Sequence, residues 1–277
     1  MIQLIGIDVD GTLLDSSGQF PANNRAAICA AVEAGVHVAL VTGRSYPFAR
    51  PVADGLPDSV SLIVSNGAVE RAMDGSTIAR RLLDKNVARA VLGANAEHRA
   101  SAALVFDRDT HGQLVFETMD WSHPAREGYW ARNQSLIARA VPLEEALTED
   151  PVQVMFNGGS LAMRALSEVI RDQDHNVAVS LTEYVPRDFS LVDITHPQAT
   201  KGRALAWRAA QLRLDAGQVM AIGDNFNDLD MLEFAGTPVV MGNAVTALKG
   251  RGWHQTGSHD EGGVAQAIHA LVLSKVR

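Results

Sequence analysis

Short apolar runs that end in polar residues alternate with stretches of helical spacing over the first part of the chain. The runs are rich in β-branched side chains, which is typical of buried strands. The stretches between them place apolar residues three and four positions apart, and the first ends at Gly35, a frequent helix terminator. This alternation predicts an α/β fold built on a doubly wound, parallel, Rossmann-like sheet. The predicted strands are residues 2–7, 36–41 and 61–64, and the predicted helices are residues 21–34 and 45–54.

The alternation breaks off after Asp84, where helices and paired strands follow one another as in an α+β domain. It resumes with a helix at residues 202–212 and a strand at residues 218–222. We therefore predict a core of residues 1–83 and 194–277, with an inserted cap domain at residues 84–193. The predicted cap elements are helices at residues 86–98 and 161–171 and strands at residues 102–106, 113–117, 152–156, 177–181 and 189–194.

Composition and charge narrow the classes of function. Apolar residues make up 47% of the 277 residues, which is enough for one large or two moderate domains. The net charge is -8, from 24 basic and 32 acidic residues, and it argues against a nucleic-acid partner, which requires a basic surface. Cys29 is the single cysteine, so neither an internal disulfide nor a thiol zinc site is expected.

The apolar runs also bear on location. Asp8 and Asp10 interrupt the first run, and no run approaches the roughly 18 unbroken apolar residues of a membrane span. We therefore expect a cytoplasmic protein without a membrane partner. The sequence leaves both a monomer and a small homo-oligomer open.

Two carboxylates stand where the first predicted strand ends. Asp8 and Asp10 lie one residue apart, which places them on the same side of an extended backbone. Gly11 follows and allows a sharp turn. The pair is then expected at the carboxyl end of a strand, where open α/β sheets bind their ligands. Alone, the same string is equally typical of an acidic turn that caps a helix.

Polar residues follow the other predicted strands in the same way. Thr42 and Gly43 end the second strand, Asn66 ends the third, and Asp224 to Asp228 follow the strand at residues 218–222. Lys201 stands at the start of a predicted helix. Because parallel strands bring their carboxyl ends to one edge of the sheet, these groups can converge although they are far apart in sequence.

Four segments in order carry a resemblance to a known family. They are DVDGT at Asp8, VTGR around Thr42, ATKG around Lys201 and GDNFND at residues 223–228. The chain resembles phosphatases of the haloacid dehalogenase superfamily, in the Cof-like branch with a large α/β cap (subclass IIB). Further similar patches are SNGA at Ser65, MGNA at Met241 and EGGVA at Glu261.

The resemblance implies a magnesium-dependent phosphohydrolase that works through an aspartyl-phosphate. It assigns Asp8 as the nucleophile, Asp10 as the acid and base, and Thr42 and Lys201 as the groups that hold the phosphoryl oxygens. Charge explains why these residues must occur together. An anion about 3.5 Å from a phosphate meets a repulsion of about 5 kcal/mol per charge pair at an effective dielectric of 20.

The metal implied by the resemblance is Mg²⁺, which prefers hard oxygen ligands. The family pattern gives it the Asp8 carboxylate, the Asp10 backbone carbonyl and the Asp224 carboxylate. Asn227 or Asp228 would bind it through water or brace the other ligands.

The substrate implied by the resemblance is a small phosphorylated metabolite, with a sugar or polyol phosphate favoured. Its phosphate is expected to bind at Thr42, Gly43, Asn66, Lys201 and Asn227, while the inserted cap reads the rest of the molecule.

Simpler interpretations exist for each segment taken alone. Asp224 to Asp228 is also typical of a helix cap, and Lys201 of a solvated surface lysine. Thr42-Gly43 and Asn66 also suit ordinary turns. Arg44 either reaches the site or pairs with an acid, and we leave it out of the predicted set. In the cap, Trp121, Tyr129 and Trp130 are more typical of packing than of a substrate pocket.

Other functions remain open at this point. A sugar phosphomutase or phosphotransferase uses the same chemistry with a sugar in place of water. A phosphometabolite-binding protein without turnover has no need for Asp10 beside Asp8. A Rossmann dinucleotide enzyme is disfavoured because no G-x-G-x-x-G follows the first strand.

Overall fold

The chain forms two units in this computed structural model, which describes residues 1–184 and 187–275. The first unit contains Met1–Arg80 and the segment from Thr200 onward, and the second unit is Arg81–Ala199. Along the chain, the second unit is thus inserted into the first. The predicted domain limits at residues 84 and 193 stay a prediction. Within the described ranges, no helix is both long and apolar enough to span a membrane.

The described part of the first unit contains one sheet of eight strands, numbered here along the whole chain. They are β1 (Leu4–Ile7), β2 (His37–Val41), β3 (Ser61–Val64), β4 (Val69–Arg71), β5 (Thr77–Arg80), β12 (Val219–Gly223), β13 (Thr237–Val240) and β14 (His254–Gln255). Their order is β14-β13-β12-β1-β2-β3-β4-β5. Neighbours from β14 to β3 are parallel, and β3, β4 and β5 form antiparallel pairs. The carboxyl ends of β12, β1, β2 and β3 therefore meet at one edge.

The first unit also contains helices, which lie between its strands or follow the last of them. They are α1 (Ala22–Glu33), α2 (Tyr46–Ala49), α6 (Lys201–Gln211), α7 (Leu229–Phe234), α8 (Thr246–Lys249) and α9 (Gly263–Leu271). Helix α1 packs on α9, and α6 packs on α7. Helix α6 lies directly on β1, because a Cβ added to Gly6 would come within 2.7 Å of Leu205 Cδ2. This close approach brings the start of α6 near the end of β1.

The second unit is built on a separate sheet of six strands among its described residues. The elements are β6 (Ala102–Val105), β7 (Leu114–Phe116), β8 (Ile137–Arg139), β9 (Gln153–Gly158), β10 (Ala178–Tyr184), β11 (Phe189–Thr195), α3 (Lys85–Ala94), α4 (Pro124–Asn133) and α5 (Ser160–Asp172). The strand order is β10-β11-β9-β6-β7-β8, and only the pair β7–β8 is parallel. Helix α5 packs against β9, β10 and β11, and α3 packs against β9.

The aromatic residues of the cap pack against this sheet. Trp121, Tyr129 and Trp130 lie on a cluster that includes Phe116 of β7. The Phe116 and Trp121 rings meet edge to face with centroids 5.1 Å apart, and the Trp121 and Trp130 centroids are 4.8 Å apart. Packing, as the sequence favoured, accounts for these three side chains.

The predicted α/β class is confirmed, and two predicted helices differ from the observed elements. The helix expected at residues 86–98 is observed as α3, which ends at Ala94, followed by a 3₁₀ helix at Ala96–Ser101. The helix expected at residues 45–54 is split into α2 and a 3₁₀ turn at Arg50–Ala53. Pro51 has no N–H to continue the α-helical hydrogen bonding, which explains the break. The polar stretch at residues 121–140, which had no clear prediction, contains α4 and β8.

Candidate active site

Lys201 joins two carboxylates that are distant in sequence. Its Nζ lies 2.6 Å from Oδ1 of Asp8 and 2.6 Å from Oδ1 of Asp228. All three residues are buried. Thr200 fixes the start of α6, because its hydroxyl accepts a hydrogen bond from the Arg203 amide at 3.1 Å. The predicted convergence of the first strand, the lysine helix and the loop after residue 223 is therefore present in the structure.

Asp224 completes a group of three buried carboxylates. One carboxylate oxygen from each of Asp8, Asp224 and Asp228 lies within 4.8 Å of the others. Asp228 Oδ2 accepts hydrogen bonds from the amides of Asp224 and Asn225, each at 3.0 Å. Asp224 Oδ1 accepts a hydrogen bond from the Thr12 hydroxyl at 3.0 Å. With Lys201 on its other oxygen, both oxygens of Asp228 accept hydrogen bonds.

This group carries more negative than positive charge. Burial and the nearby Asp228 raise the pKa of Asp8 to about 7, although Lys201 acts in the opposite direction. Burial, Asp8 and Asp228 together raise the pKa of Asp224 well above its usual range. Burial disfavours the charged form of Lys201, but the Asp228 and Asp8 carboxylates outweigh it and raise the pKa of Lys201. The cluster therefore contains one ammonium group, from Lys201, and three carboxyl groups.

Asp10 has a different partner. Both of its carboxylate oxygens accept hydrogen bonds from the Arg44 guanidinium, at 2.7 Å from Nε to Oδ2 and 2.5 Å from Nη2 to Oδ1. The Asp10 side chain keeps 40% of its surface exposed, whereas the Asp8 side chain is buried. Both alternatives left open for Arg44 hold at once: it pairs with an acid, and that acid, Asp10, is a residue of the predicted site.

The predicted phosphate-binding residues lie at the ends of β2 and β3 and in the loop after β12. The Thr42 carbonyl accepts a hydrogen bond from the Asn66 amide at 3.0 Å, and the Thr42 hydroxyl accepts one from the Arg44 amide at 3.1 Å. Asn227 Nδ2 donates to Asn66 Oδ1 at 3.3 Å. Gly43 lies against the side-chain amide of Asn66, since a Cβ at residue 43 would lie 3.1 Å from Asn66 Oδ1. The structure therefore brings these four residues together.

Comparison with known proteins agrees with this arrangement. The sequence model of one protein family, the haloacid dehalogenase-like hydrolases, matches residues 5–268. The chain belongs to the haloacid dehalogenase-like hydrolases. The putative phosphatase YxeH of Bacillus subtilis (strain 168) is 30% identical, over 99% of this chain and 100% of its own length.

Two further comparisons extend this result. The 5-amino-6-(5-phospho-D-ribitylamino)uracil phosphatase YwtE of the same organism is 28% identical over 98% of both chains. A haloacid dehalogenase-like hydrolase of known structure from B. subtilis superposes with a TM-score of 0.81 at 24% identity, covering 98% of this chain and 100% of that one. The predicted superfamily and the predicted enzyme class, a phosphatase of that superfamily, are confirmed.

The cluster of three carboxylates, from Asp8, Asp224 and Asp228, fits a hard divalent cation. Its donors are all oxygens, and the hydrogen bonds described above leave Oδ2 of Asp8 and of Asp224 unused. The excess of buried negative charge, seen in the raised pKa values of Asp8 and Asp224, is the environment that a cation relieves. The described residues contain no other cluster of three acidic, histidine or cysteine side chains placed to hold a metal.

Sequence reasoning left out several residues that shape this site in the hydrolase. Thr12 stands within the DVDGT segment, yet only the structure shows its hydroxyl on Asp224. Asp230 accepts a hydrogen bond from the Gly202 amide at 3.0 Å and so holds the start of α6 against α7. The available signal was position: Thr12 and Arg44 stand inside the DVDGT and VTGR segments, and Asp230 lies two positions beyond GDNFND.

Proposed function

We propose that this hydrolase is a Mg²⁺-dependent phosphatase of small phosphorylated metabolites and that it works through an aspartyl-phosphate on Asp8. The observation that carries this proposal is the position of Lys201 Nζ, 2.6 Å from both Asp8 and Asp228, with the Asp224 carboxylate in the same group. Buried carboxylates with a lysine between them favour chemistry on an anionic substrate over simple structural pairing.

Asp8 is the nucleophile in this proposal. A carboxylate oxygen of Asp8 bonds to phosphorus while the bond between phosphorus and the leaving oxygen breaks. Lys201 holds Oδ1 of Asp8, which orients the carboxylate and reduces repulsion from the incoming phosphate. Asp228 keeps Lys201 in place, because its other oxygen is tied to two backbone amides.

Asp10 moves the protons. As the first bond breaks, the Asp10 carboxyl gives a proton to the leaving oxygen. In the second step, Asp10 accepts a proton from water while the water oxygen attacks the aspartyl-phosphate. The bond between Asp8 and phosphorus then breaks, and inorganic phosphate leaves. In these transfers one Asp10 oxygen exchanges its hydrogen bond to Arg44 for the moving proton, while the other oxygen keeps its bond to Arg44, which holds the carboxylate in orientation.

The phosphoryl oxygens are held by Thr42 and Lys201, with Gly43, Asn66 and Asn227 around them. Mg²⁺, when bound, supplies positive charge that offsets the charges of the carboxylates and the phosphate. Its ligands would be the Asp8 and Asp224 carboxylates and the Asp10 backbone carbonyl, and Asn227 or Asp228 would support them.

The substrate class we propose is sugar or polyol phosphates. The relative YwtE is named for 5-amino-6-(5-phospho-D-ribitylamino)uracil, whose phosphate sits on a polyol chain. We propose residues 84–193 as the part of the chain that reads the substrate beyond its phosphate. In the sequence this segment lies between Asn66 and Lys201, two of the proposed phosphate-binding residues.

A panel of phosphorylated metabolites, with released inorganic phosphate as the measurement, tests the proposal. The purified full-length chain with Mg²⁺ should release phosphate from at least one sugar or polyol phosphate, and the Asp8→Asn variant should lose nearly all of this activity. Transfer of phosphate to a second sugar without free phosphate would make the protein a phosphotransferase. Saturable binding without any turnover would make it a binding protein.

A further inference from the structure

The loop after the proposed nucleophile sets the position of Asp224. Gly11 has a φ of +85°, and a Cβ at this position would lie 2.5 Å from Asp224 Oδ2. Thr12, the next residue, donates its hydroxyl to Asp224 Oδ1 at 3.0 Å. Both oxygens of the Asp224 carboxylate therefore rest against the Gly11–Thr12 segment. Any movement of that peptide moves the carboxylate or leaves it without support.

Asn243, from a distant part of the chain, holds this peptide. Its Nδ2 donates to the Gly11 carbonyl oxygen at 2.7 Å. Its Oδ1 accepts a hydrogen bond from the His259 amide at 2.9 Å. The two partners define the orientation of the side-chain amide, because one is an acceptor and the other is a donor. Asn243 thus ties the loop to the 3₁₀ turn His259–Glu261.

Neighbouring contacts run between the same two parts of the chain. The Ser16 amide donates to Asp260 Oδ1 at 2.8 Å, so the turn grips the loop at a second point. The Val245 amide donates to the Asp224 carbonyl at 3.0 Å, so the segment that carries Asn243 also holds the Asp224 backbone. Asn243 belongs to MGNA, one of the patches that resemble the family. The mechanism proposed above gives this patch no role.

We propose that Asn243 is a positioning residue: its amide fixes the Gly11 peptide and, through Gly11 and Thr12, the Asp224 carboxylate. Asn243 touches neither the substrate nor the cation in this scheme. The inference rests on the proposed function, because Asp224 matters there as a ligand of Mg²⁺. Loss of the Asn243 amide should weaken Mg²⁺ binding and lower kcat while it leaves substrate KM nearly unchanged.

Thr256 provides a matched control. It is also half-buried, and its hydroxyl donates to the Gly263 carbonyl at 2.7 Å within the same carboxyl-terminal region. It makes no hydrogen bond to the loop after Asp8. Thr256→Val therefore removes one hydrogen bond of the same kind without touching the Gly11 peptide. A general loss of stability would affect the two variants alike.

The experiment measures Mg²⁺ binding by calorimetry on the full-length chain, together with kcat and KM. We expect Asn243→Ala to weaken Mg²⁺ binding and to lower kcat, each by about tenfold or more, the range for losing a residue that orients a ligand. Thr256→Val should stay within about twofold of the wild type in both, by the same comparison. Wild-type Mg²⁺ affinity and kcat in a folded Asn243→Ala variant would overturn the proposal.

Two further outcomes separate this proposal from the proposed function. If the wild type binds Mg²⁺ but turns over no phosphate ester, the proposed function fails, and the calorimetry still decides the role of Asn243. If the wild type binds no Mg²⁺, both fail. Should Asn243→Ala not fold, Asn243→Asp replaces the donor to Gly11 by an oxygen while it keeps the acceptor for His259. Unchanged kcat in that variant would also overturn the proposal.

Discussion

The Arg44 guanidinium grips both carboxylate oxygens of Asp10, at 2.7 Å and 2.5 Å. A paired arrangement of this kind fixes the plane of a carboxylate as well as its position. Arg44 also donates its backbone amide to the Thr42 hydroxyl at 3.1 Å. One residue therefore contacts both the proposed acid and base and a proposed phosphate-binding hydroxyl.

The Asp10–Arg44 pair leads to a prediction about leaving groups. Arg44→Ala frees the Asp10 carboxylate to rotate, so proton transfer should slow, whereas attack by Asp8 should be less affected. We expect about a tenfold or larger loss of kcat for alkyl phosphates, within the contribution typical of a positioned acid, and a smaller loss for nitrophenyl phosphate. Single-turnover rates for the two substrates provide the measurement.

Arg251→Ala is the control for removal of an arginine, since Arg251 forms a half-exposed pair with Glu233. It should change neither rate. Equal losses for alkyl and nitrophenyl phosphates in Arg44→Ala would contradict a role through Asp10.

The role of Asp8 can be tested by a nearly isosteric change. Asp8→Asn should lose more than about 10³-fold in kcat, as expected when a nucleophile is removed. It should still fold, because Lys201 keeps Asp228 as a partner and one of three neighbouring negative charges disappears. Kinetics and thermal unfolding check both points, and beryllium fluoride should bind at Asp8 in the wild type alone. Asp54→Asn, at an exposed acid, is the matched control. Substantial turnover by Asp8→Asn would remove Asp8 from its proposed role.

Metal removal should abolish turnover in the wild type. EDTA binds the cation whose positive charge offsets the buried carboxylates, and added Mg²⁺ should restore the rate of phosphate release. Asp224→Asn should raise the Mg²⁺ concentration needed for half-maximal activity by about tenfold or more, since a charged ligand is lost. Glu33→Gln removes an exposed negative charge on α1 and should leave that concentration unchanged. Full activity of the chelated wild type would rule out the metal.

The inserted segment should govern substrate choice. Replacing residues 84–193 by a short Gly/Ser linker should leave some turnover of nitrophenyl phosphate and remove the preference among sugar phosphates. The reason is that the proposed catalytic groups all lie outside this segment, whereas contacts beyond the phosphate are assigned to it. Circular dichroism and a cooperative thermal transition establish first that the variant folds. A folded variant with the full-length ranking of substrates would show that specificity lies elsewhere.

Residue pattern alone predicted the class of fold and most of its elements. Strands β1, β2 and β3 are short, mostly apolar runs that end in polar or turn residues, and such local signals depend little on distant contacts. The proposed site residues were also predictable as a set. They follow strands whose carboxyl ends must meet at one edge of a parallel sheet, so the pattern of strands implied their convergence.

Tertiary structure decided which of these residues touch. The Lys201 bridge to Asp8 spans 193 positions, and the contact of Asn243 with Gly11 spans 232. No periodicity encodes such a pairing, because it depends on how α6 and the loop after β13 pack on the sheet. The same holds for Arg44, whose partner could be named only after the ends of β1 and β2 were placed side by side.

Segments with weak local patterns also needed the structure. Residues 121–140 are polar overall, and α4 forms there because Tyr129 and Trp130 find an apolar surface on β7 and its neighbours. Helical stability in proteins comes largely from packing of this kind and less from local propensity. The sequence by itself thus determined the type of fold and the chemical groups at the edge of its sheet. Their pairing was decided by contacts between distant parts of the chain, which form only when the sheet is assembled.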